Sequence, residues 1–255
     1  MTLFALLLVF VGIAIGLAWY LIAHDRGQRE PIYALWIAAG FGLLGGVVAA
    51  VIESWLVGNP DTAQGAALGT VLFSALLVGL IEELCKFLPL ALWIYEKPYF
   101  NENTDGVIYF ALAGLGFGLP ENILYTLQFG AGTGMGRLIL TPIFHAATTG
   151  LIGYFLVRYK MTKRSPVWVL GPLVSMILLH GLYDFGLMSG TLLFGGLSIV
   201  ITISLSASLF MLYLKATKLD RSLGLSAVGN NSYCRTCGWA NPAHHLYCVH
   251  CGKNA

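Results

Sequence analysis

"SALLVGLIEELCKFLPLALWIY", residues Ser74 to Tyr95, is the stretch that decides the architecture. It is long and apolar enough to lie in lipid, yet two adjacent carboxylates, Glu82 and Glu83, and an ammonium, Lys86, stand near its centre. Charged side chains at membrane depth are costly and ordinarily face a bundle interior or a wet cavity. The segment therefore reads as one wall of a helical bundle, and the rest of the chain must supply the other walls. Its composition does so: of 255 residues 57% are hydrophobic and only 10% charged, against about a quarter charged in a soluble domain.

Seven apolar runs, 3–23, 32–57, 66–95, 106–128, 137–157, 167–188 and 191–214, each approach the roughly 20 residues that a helix needs to cross the hydrocarbon layer. The first is too uniformly apolar for a cleaved signal and lacks a basic leader, so it is read as a span. Arg26, Arg29, Lys97, Arg158, Lys160, Lys163, Arg164 and the tail cations Lys215, Lys218, Arg221, Arg235 and Lys253 all fall on loops of one side, while loops 58–65 and 189–190 carry none. Only Lys86, within a span, and Arg137, at the edge of the fifth, escape this sorting. The expected fold is an all-α polytopic membrane protein, N-terminus outside and C-terminus cytoplasmic, with the lipid bilayer as its surroundings. The net charge of +2 is that asymmetry, and no basic surface interleaved with aromatics suggests nucleic acid.

Residues 1–215 are expected to form the membrane domain, 216–232 a polar linker, and 233–255 a small cytoplasmic module. Within "YCRTCGWANPAHHLYCVHCG", Cys234, Cys237, Cys248 and Cys251 make two Cys-x-x-Cys knuckles ten residues apart, the spacing of a tetrahedral four-thiolate zinc ribbon. Gly238 and Gly252 follow the knuckles and suit their tight turns. Disulfides would need an oxidising compartment, whereas the charge rule puts this tail in the reducing cytosol. His244, His245 and His250 are spare donors, since four thiolates already close the shell and leave no place for substrate. The zinc is thus expected to be structural, and the ribbon to serve an unnamed cytoplasmic partner. Cys85 stands alone within the third span and reads as a small buried apolar residue.

Inside the spans the polar residues are few: Glu53, Glu82, Glu83, Lys86, Glu121 with Asn122, His145, His180 and Asp184. Glu82 and Glu83 lie four and three residues before Lys86, so one carboxylate is neutralised while its neighbour, about 100° around the helix, needs another partner. "PENILY" carries Glu121, Asn122 and Tyr125 behind Pro120, the one proline noted as interrupting a helix of this set. "PIFHAATTG" carries His145, and "HGLYD" places His180 and Asp184 one turn apart. Counting depth along helices of alternating direction brings His145, Glu121, His180 and Glu82 to one level, about 10 to 20 Å below the outer surface. Four acids against Lys86 leave a formal charge of −3, which calls for protons or a cation. Two histidines and a carboxylate, Glu82 or Glu83, fit a catalytic zinc site, and the same groups equally fit a metal-free site in which glutamate activates water. Asn122 and Tyr125 read as hydrogen bonders lining the cavity, and Glu53, near a span end beside Trp55, as a boundary residue.

"EELCK", "PENILY", "HAATTGLIGY" and "HGLYD", in that order on successive helices, resemble the PrsW family of intramembrane peptidases, relatives of the CAAX prenyl proteases and the Abi superfamily. The resemblance implies catalytic roles for Glu82, Glu83, His145 and His180, with Lys86, Glu121, Asn122 and Asp184 in support. It further implies proteolysis of membrane-anchored proteins, regulators such as anti-sigma factors among them, in a bacterial cell membrane. Two departures stand out: Thr141 occupies the place where the wider superfamily often has an aromatic, with Phe144 beside the histidine instead, and the ribbon lies outside the shared core. Buried Glu, Asp and His also serve proton- or cation-coupled transporters, and a non-catalytic scaffold would retain only the ribbon metal. No internal repeat of broken helices favours the transporter.

Overall fold

The computed structural model describes residues 3–25, 29–57, 67–163, 165–223, 231–234, 236, 240–242 and 246–254. Among them are seven helices long and apolar enough to cross a membrane: α1 Leu3–Ala23, α2 Ile32–Leu56, α3 Leu68–Ile94, α4 Asn103–Phe129, α5 Ala131–Thr162, α6 Val167–Met188 and α7 Leu192–Ser222. In hydrocarbon no water can satisfy a backbone amide, so a chain this apolar folds as helices that bond themselves. Two three-residue strands, β1 Asn231–Tyr233 and β2 Ala240–Pro242, pair antiparallel in the tail.

α4 and α5 form the centre of the bundle. Val107 to Ala111 on α4 are wholly buried, as are Ala147, Ile152 and Val157 on α5, while large side chains such as Trp36, Phe73 and Leu92 point outward. With lipid as apolar as the core, helices gain by close backbone approach at small residues. A Cβ on Gly114 would lie 2.1 Å from the carbonyl oxygen of His145, so α4 can sit against α5 at that level only with glycine there. α3 meets α6 the same way, since a Cβ on Gly79 would stand 2.7 Å from the Gly181 amide and one on Gly181 2.7 Å from Leu76 Cα. This crossing lies one turn from Glu83 on α3 and immediately beside His180 on α6.

Two sequence expectations are corrected. The helix of α7 runs on to Ser222, so the first residues of the expected 216–232 linker are helical. The reason is Asp220, whose carboxylate reaches the start of α4 and accepts from the Asn103 and Thr104 amides at 2.8 and 3.0 Å and from both their side chains. A helix end left with unpaired donors is unstable in a buried setting, and Asp220 removes that cost from another helix. Proline interrupts not one site helix but four: Pro89, Pro120, Pro142 and Pro172 lie within α3, α4, α5 and α6. Each removes a backbone hydrogen bond that surrounding helices tolerate.

The ribbon lies against one end of the bundle, the end that holds Arg29, Lys97, Arg158, Lys160 and Lys163. There Lys160 Nζ donates to the Lys97 carbonyl at 3.0 Å, and Arg158 to Asn103 at 3.1 Å. Tyr247 is fully buried in this junction.

Candidate active site

α3 supplies the charged wall. Lys86 Nζ is 2.7 Å from Glu83 Oε1 and 3.6 Å from Glu82 Oε2, with no side chain of the three more than 5% exposed. Glu83 is doubly held, because the same Oε1 also accepts from His180 Nδ1 at 2.7 Å. Glu82 is not: its Oε2 is buried with no hydrogen-bond partner among the described residues.

Proton positions follow from this network. Assigned as a neutral ring, His180 places its proton on Nδ1, because the Glu83 carboxylate at 2.7 Å outcompetes the Lys86 ammonium 3.4 Å from the same nitrogen, and its Nε2 then faces Glu82 Oε2 at 3.3 Å and Asp184 Oδ2 at 3.5 Å. His145 is the reverse. Its Nδ1 stands 3.0 Å from Lys86 Nζ, an ammonium that can only donate, so the ring proton sits on Nε2 and is donated to Glu121 Oε2 at 2.5 Å. The two imidazoles, 5.5 Å apart between centroids, therefore hold opposite tautomers. An ionised Glu82 and the lone pair of His180 Nε2 would repel in a low dielectric, and a proton or cation placed between them reverses that repulsion.

Aromatic rings fix the frame. Phe144, the residue next to His145, stacks on Tyr183 at 3.9 Å and meets His180 edge-on at 4.9 Å, so it braces the imidazole of a neighbouring helix. Thr141, at the superfamily's aromatic position, is itself fully buried. Phe117 places its ring 4.6 Å from Lys86 Nζ, which adds cation–π attraction. Glu121 and Asp184, each 12% exposed, are the least buried of the chamber's paired carboxylates.

The structure thus gathers Glu82, Glu83, Lys86, Glu121, His145, His180 and Asp184 from four helices. Asn122 is buried on α4 next to Glu121, and Tyr125 is half-buried a turn further on. Glu53 requires correction as a mere boundary residue, since it lies within electrostatic range of Glu121, Asp184 and Lys86. Trp55, its companion in the sequence reading, is 84% exposed and points to the opposite side of α2. A readable signal existed: Gly42, Gly46, Ala49 and Glu53 recur at helical spacing, and Gly42 and Gly46 press on α4 at Ala113 and Phe117. The small face of α2 aims Glu53 inward. The side chain of Arg137 lies outside the described residues.

Two groups could hold a metal ion. Glu82, His145 and His180 bring one ligand atom each within 4.8 Å of one another, and so do Cys234, Cys248 and Cys251. In the ribbon the Cys234 and Cys251 sulfurs are 3.8 Å apart, and the amides of Thr236 and His250 donate to the Cys234 and Cys248 sulfurs at 3.4 Å. Such amide bonds stabilise thiolate character and orient the sulfur. Gly252 takes φ of +68°, the left-handed turn expected after the second knuckle. Cys237, Gly238, His244 and His245 lie outside the described residues, and His250 is exposed.

The family model described as PrsW family intramembrane metalloprotease matches residues 30–214. The chain belongs to the PrsW family. Similar proteins include Protease PrsW of Bacillus subtilis strain 168, 30% identical over 182 residues that cover 70% of this chain and 81% of that protein. Protease PrsW of Halalkalibacterium halodurans is 36% identical over 123 residues, 48% of this chain and 57% of its own, and that of Clostridioides difficile strain 630 is 30% identical over 190 residues, 71% and 78%. No solved structure matches the chain. This PrsW family member is a membrane-embedded protease, and its ribbon lies beyond the matched residues.

Proposed function

We propose that this PrsW protein hydrolyses peptide bonds of membrane-anchored proteins within the bilayer, with regulators such as anti-sigma factors as a substrate class, and that its chemistry resides in the α3–α6 chamber. The observation that carries the reading is the approach of Glu82 Oε2 to His180 Nε2, 3.3 Å apart and buried. Imidazole nitrogen and carboxylate oxygen are the donors a catalytic zinc takes, and an unpartnered buried carboxylate oxygen suits an ion there. Glu82 and His180 would hold it directly, and His145 by giving up its bond to Glu121. Such an ion, when bound, polarises the scissile carbonyl and renders water acidic enough to attack near neutral pH.

The remaining residues have separable tasks. Glu83 keeps His180 in the tautomer that leaves Nε2 bare, and Lys86 anchors Glu83 in turn. Glu121, partly exposed and next to His145, takes the proton of the attacking water and returns it to the leaving amine. Phe117 and Phe144 keep bulk water off the wall. The four cysteines of the ribbon hold a structural zinc, and the clustering of Lys and Arg favours a cytoplasmic C-terminus in a bacterial cell membrane.

The test uses the full chain purified in detergent micelles, with metal counted per chain and cleavage of single-span substrates followed on gels. His180→Ala and Glu82→Gln are expected to lose one ion per chain, to keep the ribbon ion, and to slow cleavage by about a thousandfold or more. Undiminished cleavage by Glu82→Gln would overturn the assignment.

A further inference from the structure

The ribbon's second knuckle, residues 247–252, alternates two kinds of contact. Cys248 and Cys251 face the cysteine cluster, while Tyr247, Val249 and Gly252 face the bundle. Tyr247, 0% exposed, donates its hydroxyl to Glu30 Oε1 at 3.3 Å and sets its ring edge-on to Tyr99 at 5.5 Å. Glu30 is itself only 6% exposed and accepts a second hydroxyl, that of Tyr109 on α4. The Val249 carbonyl accepts from the amide of Ile32 at 3.3 Å, the first residue of α2, a helix with no side-chain cap. Gly252 fits so closely that a Cβ there would lie 2.2 Å from the Tyr33 hydroxyl, which in turn donates to Tyr99 at 3.3 Å.

We propose that the ribbon is a zinc-set clamp: the turn that Cys248 and Cys251 impose is also the surface that caps α2 and covers Glu30, so metal occupancy and docking on the membrane domain are one equilibrium. The inference rests on the reading that the ribbon holds zinc. Its argument is economy of residues. Beyond the knuckle, the described ribbon offers two three-residue strands and no core large enough to hold shape without a metal. Three contact points spread over six residues keep their relative positions only while the turn between them is closed. With the metal gone, Glu30 meets water and the first amide of α2 loses its acceptor. Thermodynamic linkage runs both ways, so whatever breaks the dock must weaken the zinc.

The experiment follows hydrogen exchange in residues 29–36, together with zinc per chain, on the full chain in micelles. Compared are the zinc-loaded protein, the chelator-treated protein, Cys248→Ser, Tyr247→Ala, and Tyr33→Ala, the last two retaining every cysteine. Slow exchange in residues 107–113 confirms that a variant is folded, and Tyr33→Ala probes the dock from the bundle side should Tyr247→Ala fail that check. Zinc loss is expected to speed exchange in 29–36 by about tenfold, the scale of one or two buried hydrogen bonds. Tyr247→Ala and Tyr33→Ala should speed it similarly and bind the ribbon zinc about tenfold more weakly in competition with a chelator. Unchanged exchange after verified zinc loss overturns the clamp, as does an opened dock with undiminished zinc affinity. Equal zinc content in Cys248→Ser and the unaltered chain overturns the ribbon-zinc reading itself, and the zinc count tells that failure apart from the other two.

Discussion

In the chamber, Glu82, His145 and His180 arrive from three helices, and Glu83 meets a histidine 97 residues away. In the ribbon, Cys234 and Cys251 come together across 17 residues of one short segment. Both bring donor atoms within 4.8 Å, yet the forces that hold them differ. The chamber is preset by helix packing around α4 and α5, so its geometry exists before any ion arrives. The ribbon has almost nothing but its ligands. An ion should therefore be a reagent in the first and a folding element in the second.

The sharpest break would come from the chamber carboxylates, which the proposed mechanism assigns different tasks. Glu121→Gln is expected to retain the chamber ion and lose about a hundredfold to ten-thousandfold in cleavage, the range of a general acid–base residue. Glu83→Ala, which leaves His180 without its orienting acceptor, should instead weaken the chamber ion by about ten- to a hundredfold. Metal titration alongside single-turnover cleavage separates the two. Equal metal loss in both variants would assign Glu121 to the ligand set instead.

Sequence reading went furthest where one physical rule governs a whole segment. Spans 3–23 and 167–188 coincide with α1 and α6, because hydrocarbon thickness alone sets their length. The rarity of charge in such spans was enough to isolate Glu82, Glu83, Glu121, His145, His180 and Asp184 from an otherwise apolar chain. Pairing was a different matter. Nothing local says that Glu83 takes His180 while Glu121 takes His145, since the first pair depends on the crossing of α3 with α6 at Gly79 and Gly181 and the second on the approach of α4 to α5 at Gly114. Glu53 was misread because its neighbour Trp55 suggested an interface, whereas the small-residue face of α2 decides its direction. The ribbon's cysteines were legible by spacing, but its dock was not, because Glu30 and Tyr247 lie 217 residues apart and neither belongs to a motif.

A smaller effect tests whether the chamber really is preset by packing. Gly181→Ala adds a Cβ 2.7 Å from Leu76 Cα, a backbone atom that cannot turn aside. Overpacking of this kind costs about 1 to 3 kcal/mol. Thermal unfolding in micelles should shift downward, and cleavage should fall with it as α6 draws His180 away from Glu83. The ribbon should keep its zinc. Loss of ribbon zinc in this variant would mean that the two clusters are not independent structures.

The smallest effect lies at the dock, and it depends on pH. Burial pushes the Glu30 carboxyl well above its ordinary range, and the nearby acids Asp25 and Glu102 push the same way, against hydrogen bonds from Asp105 and Tyr109. The other groups facing it are the Tyr109 and Tyr247 hydroxyls. A carboxyl with a raised value in the folded state favours that state when protonated. Its contribution is complete below the unfolded value of about 4.3 and fades as pH rises through the folded value. With zinc in excess, protection of residues 29–36, corrected for intrinsic exchange, should thus decline as pH rises above the ordinary carboxyl range. Glu30→Gln, which cannot ionise, should flatten that decline while leaving the docked geometry in place. A slope of the same size in Glu30→Gln would assign the pH dependence to the metal knuckle itself, and the dock would then be as subordinate to zinc chemistry as the chamber is independent of it.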